Sequence, residues 1–147
     1  MATATYTKTV HCRLALPEEG PLVHGLIQRN VGEAWDWINW DSIGMNWLIA
    51  EMDGVPVGCM MFSLGNPIAR ADMLSVDPSL SKRNRALVAR DLAYTAWGIC
   101  RDRGAQAVLM MIEWSKENEW IRIAMRRGAI PYGEGVFLVK PIRGKQS

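Results

Sequence analysis

The chain has 147 residues, 49% of them apolar and 22% charged, with a net charge of +2. That size and balance suit one soluble globular domain with a proper core and exclude a disordered or fibrous chain. No apolar run approaches the ~20 residues of a membrane helix, and the polar start, Met1 to Lys8, lacks the apolar stretch of a secretion signal, so a cytoplasmic protein with no membrane partner is expected. The charge is unevenly divided: residues 1–80 carry 4 basic and 9 acidic side chains, and residues 81–147 carry 13 and 6, halves of −5 and +7. A basic C-terminal half suits a phosphate-bearing ligand. Nucleic acid is the weaker alternative, because the basic residues are spread over several elements with no nucleic-acid module among them. Cys12, Cys59 and Cys100 are odd in number and widely spaced, with neither a CxxC pair nor a histidine companion, and read as small core residues rather than as disulfide or metal ligands.

Thr9 to Leu16 has strand character, and Pro17-Glu18-Glu19 opens a helix whose Leu22, Val23, Leu26 and Ile27 form one stripe. His24 on that helix has nothing nearby to complete a metal site or a triad and reads as a helix-edge residue. Glu33 to Asn46 is irregular and holds Trp35, Trp37 and Trp40. Trp37 and Trp40 have the i, i+3 spacing of one helix face, with Trp35 facing elsewhere. The segment is either an aromatic wall presented to a ligand or partner, or a lid packed over the sheet. Trp47 to Met52 and Val55 to Ser63 flank Asp53-Gly54, the strongest short-range hairpin signal. Gly65-Asn66-Pro67 then leads into a strand that ends at Val76, before Asp77-Pro78.

The stretch from Asp72 to Gly104 organises the rest. A short apolar strand, Asp72 to Val76, meets a polar loop, Ser79 to Asn84, and from Arg85 the period changes. Val88, Ala89, Leu92, Ala93, Ala96, Ile99 and Cys100 fall on one helical stripe, and Gly104 is the stop. A loop entering a helix N-terminus presents unpaired N–H groups and the positive end of the dipole, and Lys82, Arg83 and Arg85 sit there, as a phosphate site requires. Ala105 to Ile112 is apolar at nearly every position, the pattern of a central strand covered on both faces. Glu117 to Arg127, with Trp120, Ile123 and Ala124 on one face, predicts a helix closed by Gly128-Ala129, and Val136 to Val139 predicts a last strand.

Val76-Asp77-Pro78, the six-residue loop and the amphipathic helix together resemble the pyrophosphate-binding motif of the GNAT superfamily of acetyl-CoA-dependent N-acyltransferases. The family pattern, Arg or Gln, two residues, Gly, one residue, then Gly or Ala, falls on Ser81, Asn84 and Ala86. Only Ala86 matches outright; Asn84 tolerates a left-handed backbone, and Ser81 gives up the long side chain. Cys12 to Glu19 is similar to the family's opening strand and turn, and Asn118 to Ala129 to its closing helix.

The resemblance implies a single α/β domain over 1–147, with polar tails at 1–8 and 143–147. Its sheet would be mixed and mostly antiparallel, with about six to seven strands and about four helices, splayed between two central parallel strands. It also implies acetyl-CoA as acyl donor and an amine acceptor. Leu74, Ser75 and Val76 would line the donor's arm, and Ser81, Lys82, Arg83, Asn84, Arg85 and Ala86 its pyrophosphate, with the N–H groups from Asn84 to Ala86 as donors and Asn118 at the closing helix. Asp72, on the strand beside the acyl group, is the best-placed general base, with Glu51 and Glu113 behind it. Many family members protonate the departing thiolate with a tyrosine four residues before the closing glycine. Ala124 stands there, and Tyr132 or Tyr94 would have to substitute.

Two functions of different class follow: an N-acyltransferase, or a module of the same fold that has lost the chemistry and works with protein partners. The ending from Ile121-Arg122 to Gly128-Ala129 and the glycine-poor basic loop are most similar to the acyltransferase-like internal virion proteins of short-tailed bacteriophages, a setting of host cytoplasm or virion.

Overall fold

The computed structural model of the chain describes residues 9–110 and 119–130. Within them five strands form one sheet in the order β1 (Val10–Leu14), β2 (Trp47–Met52), β3 (Val55–Ser63), β4 (Ile68–Val76) and β5 (Ala107–Met110). The first three junctions are antiparallel and β4 pairs parallel with β5, Ile68 opposite Ala107 through Ala71 opposite Met110. Asp53 and Gly54 both have positive φ, 54° and 78°, which closes the β2–β3 hairpin on the residues that signalled it. The mixed, mostly antiparallel sheet with one parallel pair across the long helix is the expected architecture. Five strands and three α-helices are described rather than six to seven and four. The strand expected at Val136 to Val139 lies outside the described residues, and the tryptophan segment carries only a 3-10 turn, Gly32–Trp35.

Helices cover both faces. β2 alternates, sending Leu48 and Ala50 to one side and Trp47 and Ile49 to the other, all buried. On the first side, Leu48, Ala50, Met60, Phe62, Ala69, Ala71 and Val76 pack against helix α2 (Lys82–Asp102) through its buried Val88, Ala89, Leu92, Ala96 and Cys100. Ala93 and Ile99 flank this stripe and are partly buried. A side chain at Gly58 would meet Val88 Cγ1 at 2.8 Å and the Ser75 carbonyl at 3.1 Å, so the bare backbone there is what lets α2 approach β3. On the second side, α1 (Gly20–Val31) buries Val23, Leu26 and Ile27 against Trp47, Ile49 and Cys59. Fully burying a residue such as Leu92 or Ile27 contributes about 1.5–3 kcal/mol, and these two layers hold the sheet in place. Cys59 and Cys100 are core residues as read, and Cys12 is partly buried.

Two expectations are corrected here. Among the described residues β5 is covered on one face only: Val108 and Met110 pack toward α2, while Ala107 and Leu109 are exposed. The loop expected at Ser79 to Asn84 is shorter, since Ser81 is already the N-cap of α2 and its hydroxyl accepts from the Asn84 N–H at 3.2 Å.

The third helix, α3 (Glu119–Arg126), ends as its glycine predicts. Gly128 has φ 95°, and the N–H groups of Gly128 and Ala129 reach the carbonyls of Met125 and Ala124, the double bond of a Schellman cap.

Candidate active site

The centre of the site is a β-bulge in β4. Between the pairs Cys59–Ser75 and Met61–Asp72, β3 has one intervening residue and β4 has two, Met73 and Leu74. Met73 takes φ 59°, a left-handed conformation that costs a non-glycine residue energy and concentrates at sites where backbone direction matters. The extra residue re-aims the strand end: Leu74 and Val76 pack into the core under α2, and Met73 into the opposite one. Ser75 is buried on the Cys59 side.

Asp72 sits immediately before this bulge. Its Oδ1 is buried without a hydrogen-bond partner among the described residues, and its other oxygen lies 3.6 Å from Nε of the half-exposed Arg70. Burial pushes its pKa up, and the nearby guanidinium only partly offsets this. A buried carboxylate with a raised pKa at a strand irregularity is chemically able to accept a proton.

Past Val76 the chain makes a tight turn. The Asp77 carboxylate accepts from the Ser79 N–H at 2.9 Å and from its hydroxyl at 2.8 Å, and Arg29 of α1 reaches its second oxygen at 3.3 Å. These bonds hold the Asp77 carboxyl below the usual range. Ser81 then caps α2, which uses the Asn84 N–H, while the Arg85 N–H bonds the Ser81 carbonyl at 2.8 Å. Among the described residues the donors left open at the helix end therefore belong to Lys82 and Arg83, two to three residues earlier than the expected Asn84 to Ala86. Lys82 and Arg83 are exposed, whereas the Arg85 guanidinium turns back to the Leu80 carbonyl at 2.9 Å. Leu74 to Val76, Ser81 to Ala86 and Asp72 are thus brought together on one continuous strand–turn–helix.

Glu51 is placed elsewhere. Arg13 donates to Glu51 at 2.6 Å through Nε and grips Glu19 with both terminal nitrogens at 2.6 and 2.7 Å. Glu19 also accepts from the Leu16 N–H at 2.9 Å, and its pKa is held down to about 2, chiefly by Arg13. This triad ties β1 and β2 to the start of α1 and gives the Arg13 to Glu19 motif a structural purpose. Tyr132, Asn118 and Glu113 lie outside the described residues. Tyr94 is exposed on α2, its ring edge-to-face with Trp97 at 5.5 Å and under the Arg127 guanidinium at 5.6 Å. Ala124 is partly buried in the last turn of α3.

The tryptophan segment lies over the face of the sheet that carries Asp72. Trp47, Met61 and Asp72 are register partners across three strands, so Trp47 stands about 10 Å from Asp72. Trp40 is buried with its ring edge-on to Trp47 at 5.8 Å, and His24 stacks on Trp40 at 5.3 Å while bonding Asp36 at 2.7 Å. The expected Trp37–Trp40 pairing does not occur, because the segment is not a helix: Trp40 Nε1 bonds the Trp35 carbonyl and turns inward, and Trp37 pairs instead with Trp35 at 6.0 Å, half-exposed. A side chain at Gly20 would collide with the Trp40 carbonyl, so this glycine is what admits the segment against α1.

The sequence reading missed a groove of about 230 Å³ between α2 and α3, lined by Arg83, Ala86, Leu87, Arg90, Arg126 and Arg127. The basic bias of the second half of the chain was its only advance signal.

No family model and no curated protein sequence matches the chain. Its architecture does match solved structures. An aminoglycoside N-acetyltransferase, AAC(6')-Iy in complex with CoA, superposes with a TM-score of 0.67 at 17% identity, over 94% of this chain and 99% of that one. A ribosomal-protein-alanine N-acetyltransferase from Brucella melitensis gives 0.62 at 14% identity, over 90% and 100%. A transcriptional regulator from Bacillus halodurans gives 0.67 at 14% identity, over 90% and 100%. The chain shares its fold with these N-acetyltransferases.

Proposed function

We propose that the chain is an N-acyltransferase that moves an acetyl group from acetyl-CoA to an amine. The observation that carries this reading is Asp72, a carboxylate with one buried oxygen that has no partner among the described residues, at a strained bulge one strand–turn away from an open, basic helix N-terminus. The donor supplies an activated thioester carbonyl. Lys82, Arg83 and the open N–H groups of α2 bind its pyrophosphate, and the end of β4 from Leu74 to Val76 aligns its arm. Asp72 takes the proton from the acceptor ammonium, directly or through a water, so that the neutral nitrogen attacks the carbonyl carbon; the C–S bond breaks and the thiolate leaves. A raised carboxyl pKa brings the base closer to the operating pH. Positioning the two reactants carries the remainder of the rate, as no covalent enzyme intermediate is needed. Glu51, already committed to Arg13, does not compete for the role.

On the acceptor side, the half-exposed Trp37, its partner Trp35 and the neighbouring Glu33 and Asp36 support a cationic amine, held by aromatic faces and carboxylates. Calorimetric titration with acetyl-CoA, followed by thiol release on a panel of amines, tests the reading. Micromolar or tighter binding with turnover on at least one amine is expected, and absence of donor binding refutes it.

Ala124 favours a second reading, because the position where many relatives carry a tyrosine has no proton to give. In it the chain binds partners through the same fold without chemistry, as the internal virion proteins of short-tailed phages would. Ala124→Tyr separates the two: in an enzyme, thiol release rises, general acid catalysis being worth about 10²–10⁴-fold when well placed. A folded variant that stays silent alongside a silent parent favours the module.

A further inference from the structure

His24 of α1 takes no part in the acyl-transfer steps above, yet it touches the tryptophan segment twice. Its Nε2 bonds the Asp36 carboxylate at 2.7 Å, and its ring lies flat on Trp40, the centroids 5.3 Å apart and the planes 8° from parallel. Gln28, one turn further along α1, donates to the same Asp36 oxygen at 2.9 Å. These bonds, Gln28 first and His24 second, hold the Asp36 carboxyl below its usual range, so it is ionised wherever an imidazole titrates. A carboxylate only accepts, so the neutral ring carries its proton on Nε2 and a second proton goes to Nδ1. Both forms can bond Asp36, and they differ by one charge. Asp36 stands between Trp35 and Trp37, the aromatic pair on the acceptor side. From Asn30 to Ala69 the sequence has no Lys or Arg, so the segment supplies no cation of its own and α1 brings the countercharge. The other charged groups on the elements around His24 are Glu33 and Asp41 in the same segment, Glu18, Glu19 held by Arg13, Arg29 bound to Asp77, and Asp72 at the end of the row from Trp47. Trp47, Ile49 and Cys59, against which α1 packs, are uncharged.

We propose that His24 sets the charge preference of the acceptor site: uncharged, it leaves Asp36 a full negative charge beside the Trp35–Trp37 pair, and protonated, it cancels that charge, so that cationic acceptors are held more weakly as pH falls. His24 acts through Asp36 and Trp40 and is a positioning residue, and the inference rests on the acceptor reading above. The probe is tetramethylammonium, whose charge is the same at every pH, titrated into the full chain at about pH 8 and about pH 5, the span over which imidazoles change charge, with tryptophan fluorescence as the readout. His24→Gln keeps a donor for Asp36 and carries no charge. Parent and variant should bind alike at the upper pH, and at the lower the variant should bind about two- to fivefold tighter, the scale of one exposed charge pair. Any protonation of Asp72 is common to both proteins and cancels in their ratio. Ring NMR of the parent needs no substitution, because the chain has two histidines, His11 and His24. Saturating tetramethylammonium should lower the titration midpoint of His24 and leave that of His11, since cation and proton oppose each other at Asp36. A ratio that does not change with pH, or a His24 midpoint that the probe does not move, overturns the inference and leaves the acceptor reading intact. Absence of probe binding at both pH values, with coenzyme A still bound, overturns the acceptor reading and the inference with it.

Discussion

The two faces of the sheet are built by different means. The α2 face is a hydrophobic stripe on strands, finished by a capped helix end and a cluster of arginines, and its polar features are backbone N–H groups and charges open to solvent. The α1 face is closed by side chains: Arg13 clamps two glutamates, Gly20 admits the Trp40 carbonyl, and His24, Trp40 and Trp47 form a contiguous aromatic run over the row that ends at Asp72. A donor with phosphates can be held by generic charge and a helix end, which many sequences supply. An acceptor must be held by particular side chains in one arrangement, and the α1 face is where such side chains are gathered.

Breaking the junction of the two faces has the largest expected effect. Asp72→Asn should lower turnover by about 10²–10⁴-fold, measured by thiol release, with donor affinity retained. Because the Asp72 pKa is raised on folding, its charge is a liability as pH rises above the ordinary carboxyl value, so the Asn variant should melt no lower than the parent at neutral pH. Parental activity should rise with pH as Asp72 ionises, and an Asn variant with full turnover would remove it from the mechanism.

Next is the α1 face. Glu19→Gln exchanges a carboxylate held by Arg13 and the Leu16 N–H for a neutral amide, and should cost about 1.5–3 kcal/mol in urea unfolding. The sign of the pH effect follows from its depressed pKa: the stabilisation is fully present above about 4.5 and is lost as pH falls toward about 2. The parent should therefore lose stability over that window, and the variant should lose less.

On the α2 face, Lys82→Ala with Arg83→Ala should weaken coenzyme A binding by about tenfold, with the parental affinity falling as salt is added and the variant responding less. Leaving Arg85 in place matters, because it supports the turn through the Leu80 carbonyl. The smallest effect belongs to Trp37→Ala. A half-exposed ring should change stability by less than about 0.5 kcal/mol, yet raise the KM for a cationic amine roughly two- to fivefold, the scale of an exposed cation–π contact. An unchanged KM would assign Trp37 to surface packing.

The hairpin over Asp53-Gly54, the apolar stripe of α2 and the Gly128 stop were legible in the sequence because each is a local signal: a turn that needs positive φ, a period of 3.6, a cap glycine. The motif order from Cys12 to Ala129 located the strand–turn–helix for the same reason. Ser81 shows the limit of such reading. It matched the family pattern poorly as a long-chain phosphate ligand, yet its own chemistry, a hydroxyl before a helical run, already marked an N-cap. What depended on residues far apart in the chain was settled only by the tertiary structure. The burial of Asp72 comes from strand packing around a bulge that no local pattern announces, and the Arg13 triad joins positions up to 38 residues apart. The α2–α3 groove exists because two helices bring Arg83 and Arg90 opposite Arg126 and Arg127. Sequence spacing specifies which face of an element a side chain occupies; only packing decides which other face it meets, and with it the charge, burial and neighbours that make a residue functional.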